Sequence, residues 1–230
     1  MFALIIKDLR ILKENLLSIL MDCLTINLFF IVTPKFVYLV LPPMIMYSCF
    51  KSVCQYDYRY DSNVLFNSFP ISRDMLVKSK YIESFLFLLV GIILSFVSTN
   101  IFSQLDIVSK GFAGFVRFNE WMNIKSINNL FDIKLMLLPS IISATMFVCS
   151  YFPIYFKFGY EKARNIFAGI SILVMIIPVL IIKYAGFSIF SGVNSSALGI
   201  LVCAFIVIIL TIMIILSINI STKIYNNIDI

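Results

Sequence analysis

Charged residues are rare in the apolar stretches of this sequence. One acidic and one basic residue nevertheless lie within two of these stretches. Asp22 follows the start of the first long apolar run, and Lys51 precedes the end of the second. A lone charge inside a membrane costs about 2.5–3.5 kcal/mol on insertion scales, so pairing is one remedy. We therefore predict an intramembrane Asp22–Lys51 charge pair. The alternative is a Lys51 that extends to the membrane surface while Asp22 meets water alone.

Residue types exclude several other kinds of site. The sequence has no His, and its five Cys residues lack metal-ligand spacing, which excludes His-dependent catalytic triads and zinc sites. No Gly is followed by Lys, so a phosphate-binding loop of the form GxxxxGK[ST] is absent. We expect free, buried thiols and no cofactor in this chain, with any ATP and Mg²⁺ bound by a partner.

The composition is that of an integral membrane protein. Of 230 residues, 61% are hydrophobic and 13% are charged, whereas soluble domains average about 25% charged residues. A membrane crossing needs roughly 20 apolar residues. Residues 1–230 therefore accommodate about six spanning helices as a single transmembrane domain. Interleaved acidic and basic residues near the N-terminus do not resemble a cleaved signal, so we expect the first helix to be retained.

Six apolar stretches predict an all-α fold with six transmembrane helices, because a helix satisfies its own backbone hydrogen bonds in lipid. The stretches are about Leu16 to Val32, Phe36 to Cys54, Ile82 to Phe102, Leu135 to Phe156, Ile166 to Ile182 and Leu198 to Ile218. Pro42 and Pro43 interrupt the second stretch, where we expect a kink or a break.

The distribution of basic residues predicts the orientation. With a cytoplasmic N-terminus, twelve basic residues lie inside: Lys7, Arg10, Lys13, Lys51, Arg59, Arg73, Lys78, Lys80, Lys157, Lys162, Arg164 and Lys223. Six lie outside: Lys35, Lys110, Arg117, Lys125, Lys134 and Lys183. The bias predicts a multi-pass protein with both termini in the cytoplasm.

Two further segments have amphipathic patterns. Residues Met1 to Asn15 predict a helix with an apolar face of Phe2, Ile5, Ile6, Leu9 and Leu12, which either lies flat on the membrane or extends the first span. The outer loop from Gln104 to Asp132 repeats aromatic residues at Phe112, Phe115, Phe118 and Trp121. This spacing indicates an interfacial anchor, and a role in substrate contact is the alternative.

The region between the second and third apolar stretches contains a polar block that ends in a predicted helix. Ser72 can cap a helix that begins at Arg73. Met75, Leu76 and Val77 would form its apolar side, with Arg73, Asp74 and Lys78 toward water. The pattern predicts a short cytoplasmic helix joined to the third span.

Three segments resemble the ABC-2 type permeases of bacterial ABC exporters. They are KDLRILKENL (Lys7 to Leu16), SFPISRDMLVKSKYI (Ser68 to Ile82) and PIYFKFGYEKARNI (Pro153 to Ile166). The resemblance implies that Phe69, Pro70, Ile71, Ser72 and Arg73 form a coupling helix that docks on an ATPase. It also implies a second cytoplasmic loop with Gly159, Glu161, Lys162 and Arg164. Lys80 and Tyr81 match the family pattern without an evident role.

The resemblance further implies a set of partners and a location. These are cytoplasmic ABC ATPase subunits, a second permease copy or paralogue, membrane lipid and a hydrophobic or amphipathic substrate, in a bacterial cell membrane; no nucleic acid is expected. The chain itself would be a transport subunit and not an enzyme. It departs from the better-known members in having its longer outer loop between helices three and four.

Two rival functions stay open. A secondary carrier or channel would normally carry several acids or polar breaks at mid-membrane, and a membrane-embedded enzyme would need clustered reactive groups. The substrate is open as well: the resemblance extends to exporters of phenol-soluble modulins, which are amphipathic peptides, while an antimicrobial peptide or a glycolipid would suit an apolar bundle equally.

Overall fold

The computed structural model describes the backbone of residues 2–14, 16–30, 34–60, 72–104, 133–184 and 197–227. Within these ranges the chain is all-helical and has no strand, which confirms the predicted fold class. The helices are α1 (Phe2–Glu14), α2 (Leu16–Phe29), α3 (Pro34–Arg59), α4 (Arg73–Gln104), α5 (Ile133–Tyr184) and α6 (Ala197–Asn226). The predicted outer-loop anchor lies outside the described residues.

Helices α3, α4, α5 and α6 each contain a segment that is long and apolar enough to cross a membrane. Helix α2 is apolar but has 14 residues, a length of about 21 Å at 1.5 Å per residue. The hydrocarbon core of a bilayer is about 30 Å thick, so α2 is shorter than the predicted first span. The chain is an integral membrane protein built from helices.

The chain divides into two compact units, Met1–Ala144 and Thr145–Asp229. In the first unit, α1 and α2 both pack against the pair formed by α3 and α4. Helices α3 and α4 run antiparallel: Tyr38 near the start of α3 donates or accepts a 2.6 Å hydrogen bond with Thr99 near the end of α4. Asp57 near the end of α3 meets Lys80 near the start of α4.

Midway along this pair, the backbones approach closely at Gly91 of α4. A Cβ atom on Gly91 would lie 2.7 Å from the carbonyl oxygen of Pro42 and 2.9 Å from its Cα. Helix α3 is continuous from Pro34 to Arg59 with Pro42 and Pro43 inside it. Of the two outcomes expected at the prolines, the break is therefore absent, and the kink stays a prediction.

The second unit contains a helical hairpin that reverses at Gly159. This residue has φ 78° and ψ 175°, which interrupts α5. In an uninterrupted helix, Tyr151 and Phe167 would be about 24 Å apart, yet their ring centroids are 4.8 Å apart. The two arms of α5 thus fold back on each other, as predicted for the fourth and fifth stretches.

Helix α6 packs against the first arm of this hairpin. The Ser217 hydroxyl donates a 2.8 Å hydrogen bond to the Cys149 carbonyl oxygen, and the rings of Phe156 and Tyr225 are 5.3 Å apart. Much of the remaining α6 surface is apolar and exposed, including Phe205, Val207, Ile208, Ile212, Ile215, Leu216 and Ile220. Such a continuous apolar surface suits contact with lipid or another membrane helix.

The buried face of α1 differs from the predicted one. Leu4, Asp8, Ile11 and Leu12 are buried, whereas Ile6 and Leu9 of the predicted apolar face are exposed. The predicted face does not include Asp8, which is charged. In the structure its carboxylate has cationic partners, so the protein-facing stripe of α1 includes a charge.

Candidate functional site

A cluster of charged side chains joins α1, α3 and α4, and we call it the ion cluster: Lys7, Asp8, Asp57, Lys80 and Glu83. Lys80 Nζ donates hydrogen bonds of 2.7 Å to Asp8 Oδ2 and to Asp57 Oδ2. Lys7 Nζ donates a 2.7 Å hydrogen bond to Asp57 Oδ1 and lies 2.9 Å from Asp8 Oδ1. Each aspartate therefore contacts one lysine through each of its oxygens, and the four charges alternate around a closed ring.

The ion cluster is buried. The exposed fraction of the side chain is 4% for Lys80, 1% for Asp8 and 2% for Asp57, while Lys7 at 35% closes the ring on its outer side. Buried ions need a compensating charge and hydrogen bonds. Removing one member of a buried ion pair typically costs about 3–5 kcal/mol, because the other charge is then left uncompensated.

The electrostatics at Asp8 show the balance between burial and pairing. Burial raises the pKa of the Asp8 carboxyl, whereas the Lys80 ammonium group, a side-chain hydrogen bond with Glu83 and the Lys7 ammonium group together lower it by more. The pKa therefore lies below its usual value of 3.8. Asp8 is ionised at neutral pH and holds both lysines.

Glu83 lies one turn after Lys80 on α4 and completes the cluster. Its side chain is 1% exposed, and its Oε2 is 3.7 Å from Lys80 Nζ. Lys80 thus lies at the centre, with carboxyl groups from three helices around it.

The start of α4 forms as predicted from the sequence. Ser72 precedes the helix, and its hydroxyl oxygen accepts a 3.4 Å hydrogen bond from the Met75 amide, which is the third residue of the helix. Leu76 and Val77 are buried and Asp74 and Lys78 are exposed, as predicted. The prediction is wrong for two neighbours, because Met75 of the predicted apolar side is exposed and Arg73 is half-buried. Helix α4 continues without interruption into the third span, so the cytoplasmic helix and the span are one element. Phe69, Pro70 and Ile71 lie outside the described residues.

The turn between the two arms of α5, residues 158–164, is the second predicted cytoplasmic segment, and we call it the Gly159 turn. Glu161, Lys162 and Arg164 are exposed there. Phe158 is 47% exposed, and Lys157 Nζ lies 5.1 Å from the centroid of its ring. Phe158, Lys162, Asn165 and Ile166 line a shallow, open cavity of about 320 Å³. The segment therefore presents an exposed aromatic ring with Lys157 and Lys162 nearby.

The structure gives Asp22 a neutral hydrogen-bond donor. Ser48 on α3 donates a 2.5 Å hydrogen bond to Asp22 Oδ2, and Lys51, one turn further along α3, is exposed. The ion pairs among the described side chains do not include Asp22 with Lys51. The Asp22–Lys51 pair therefore stays a prediction.

A comparison with known protein families identifies the protein class of this chain. A family model described as "ABC-2 family transporter protein" matches residues 3–226, which is nearly the whole chain. The chain belongs to the ABC-2 transporter family. No curated protein and no solved structure matches it. As an ABC-2 family member it is a membrane permease subunit of a transporter, and the transport subunit is not itself catalytic.

Sequence reasoning alone misses most of the ion cluster of this ABC-2 permease. The family pattern includes Lys80, and the count of basic residues includes Lys7, but neither assigns a role to Asp8, Asp57 or Glu83. One signal is present in the sequence: Asp8 falls on the same helical face as Leu4, Ile11 and Leu12. The four described cysteines, Cys23, Cys49, Cys54 and Cys149, are reduced thiols; the first three are buried as predicted, whereas Cys149 is half-buried.

Proposed function

We propose that the chain is the membrane-spanning permease subunit of an ATP-driven exporter, coupled to a separate cytoplasmic ATPase through Phe69 to Arg73. The observation that carries the proposal is the continuity of α4. A helix that begins at a capped, solvent-facing turn at Arg73 runs 32 residues to Gln104, about 48 Å. A push at its first turn therefore moves a rigid element that is long enough to reach across the membrane.

The Gly159 turn supplies a second contact in this proposal. Its exposed Phe158 has the character of an anchor for a partner pocket, and Lys162 and Arg164 favour an acidic rim. Both segments would lie on the cytoplasmic side, with both termini, in a bacterial cell membrane. Two permease chains, identical or related, would assemble with two ATPases that bind ATP and Mg²⁺.

For the substrate we propose an amphipathic peptide. The exposed side chains of α6 and α2 are predominantly apolar, which suits a cargo that presents an apolar face. The resemblance to exporters of phenol-soluble modulins also favours an amphipathic peptide as the substrate. No described feature favours a carrier or channel that works without an ATPase.

The test is co-purification of the tagged permease with ABC ATPases expressed from the same genome. We expect the double variant Phe69→Ala, Arg73→Glu to insert into the membrane normally but to co-purify with at least tenfold less ATPase than the wild type. The matched control is Lys78→Glu, an exposed charge reversal on the same helix, which should retain it. Absence of any ATPase from the wild-type complex, or equal retention by the double variant, would contradict the proposal.

A further inference from the structure

Lys80 is the one cation that contacts carboxyl groups from each of three helices in the described part of the chain. Its ammonium group bonds Asp8 of α1 and Asp57 of α3, and it faces Glu83 of its own helix α4. Lys7 bonds the same two aspartates from the outer side. Helix α1 is thus held to the α3–α4 pair by charged contacts at one level.

The position of this level along α4 is informative. Lys80 lies seven residues after Arg73, which is about two helical turns from the proposed ATPase contact. Asp57 lies two residues before the end of α3 at Arg59. The ion cluster therefore ties together the two helix ends that flank the proposed coupling segment, and it adds α1 to them.

Buried ions are a poor way to gain stability, because apolar side chains of similar volume serve as well or better. Unlike apolar packing, the hydrogen bonds between buried ions are directional, so each bond determines which two atoms are in contact. Apolar contacts between helices tolerate small sliding movements. A ring of alternating charges does not, since each displacement separates opposite charges in a site that excludes water.

We infer that Lys80 is a positioning residue that makes α1, α3 and α4 move as one body when an ATPase displaces the start of α4. This inference rests on the proposed function. It assigns to α1 the role of a driven element that follows α4. The amphipathic α1, with Ile6 and Leu9 exposed, would then carry the movement to the membrane surface.

The experiment measures distances by pulsed EPR in the full permease–ATPase complex, without nucleotide and with ATP trapped by vanadate. Spin labels replace two exposed side chains, Arg10 on α1 and Lys78 on α4, in a background with all five Cys replaced by Ala. A second label pair joins Lys78 to Lys223 of α6. We expect ATP to shift the second distance and to leave the first unchanged.

The variant that tests Lys80 is Asp8→Asn, which keeps the side-chain shape but removes one charge of the ring. We expect it to retain the ATPase and to broaden the distance distribution from α1 to α4 at least twofold in the ATP state. The matched control is Lys13→Gln, an exposed residue on the same helix, which should behave as wild type. Restoration by Asp8→Glu would support an ionic tie.

If Asp8→Asn is not monodisperse, the combined variant Asp8→Asn, Asp57→Asn, Lys80→Met and Glu83→Gln replaces it, because it removes the charge of all four buried members of the ion cluster. The same broadening is expected. The inference is overturned if the distance from α1 to α4 shifts with ATP in the wild type, or stays narrow in a monodisperse variant. Failure of the proposed function is distinct: no ATPase would co-purify, or the reference distance would not respond to ATP.

Discussion

The start of α4 and the Gly159 turn are both proposed to meet the same partner, yet they are built differently. The first leads within two turns to a buried ring of charges that joins three helices. The second is a reversal with exposed cations and an exposed aromatic ring. A segment tied into the core passes on a displacement. In the Gly159 turn, Tyr160 and Ala163 are buried while the charged side chains are exposed, so these charges can bind a partner directly.

The largest expected effect concerns Lys80 itself. Lys80→Met leaves Asp8 and Asp57 buried with Lys7 as their remaining cationic partner among the described residues, and we expect the free energy of unfolding to fall by about 3–5 kcal/mol. Thermal or denaturant unfolding of the purified protein in detergent measures the change. Lys78→Met removes an exposed lysine from the same helix and should change stability by about 0.5 kcal/mol or less. Equal effects of the two substitutions would show that the ring contributes no special stability.

An intermediate effect is expected at Gly159. Its φ of 78° and ψ of 175° lie in a region that is essentially restricted to glycine, and strain of this kind costs about 1–3 kcal/mol. A Cβ atom at this position would meet no atom within 4 Å, so the cost of Gly159→Ala is conformational alone. The same unfolding assay measures it. A Gly159→Ala protein as stable as the wild type would mean that the reversal adopts another backbone conformation.

The smallest effect on stability is expected from reversing the charges of the Gly159 turn. Lys162 and Arg164 are exposed, and exposed ionic contacts contribute about 0–1 kcal/mol. Lys162→Glu with Arg164→Glu should therefore unfold as the wild type does, while retention of the ATPase falls and its salt dependence weakens. Co-purification over a range of salt concentrations tests this. Unchanged retention would remove the turn from the proposed interface.

Local rules predict the helices and one cap well. Apolar length places the spanning helices, and Ser72 before Arg73 places the start of α4, because both signals act within a few residues of sequence. The prolines of α3 show where a local rule is insufficient. Pro42 lies against Gly91 of α4, and packing against a neighbouring helix keeps α3 continuous where an isolated helix would be weakened.

The ion cluster cannot be assembled from the sequence, because its members are separated by long stretches of chain. Asp8 and Lys80 are 72 residues apart, and Asp57 and Lys80 are 23 apart. Asp8 shares a helical face with apolar residues, but Asp57 and Lys80 look like ordinary surface charges in their own segments. Only the packing of α1 on the α3–α4 pair places them within hydrogen-bond distance, and sequence spacing does not encode that packing.

Three different kinds of contact join α3 and α4 at three positions along their length. These are a hydrogen bond between the Tyr38 and Thr99 hydroxyls, a close backbone contact between Pro42 and Gly91, and an ion pair between Asp57 and Lys80. Screw-like slippage of one helix along the other would have to undo all three at once. Tilting of the two helices together as a rigid body breaks none of these contacts. The three contacts therefore determine how this helix pair can move: the two helices can tilt together, but one cannot slide along the other.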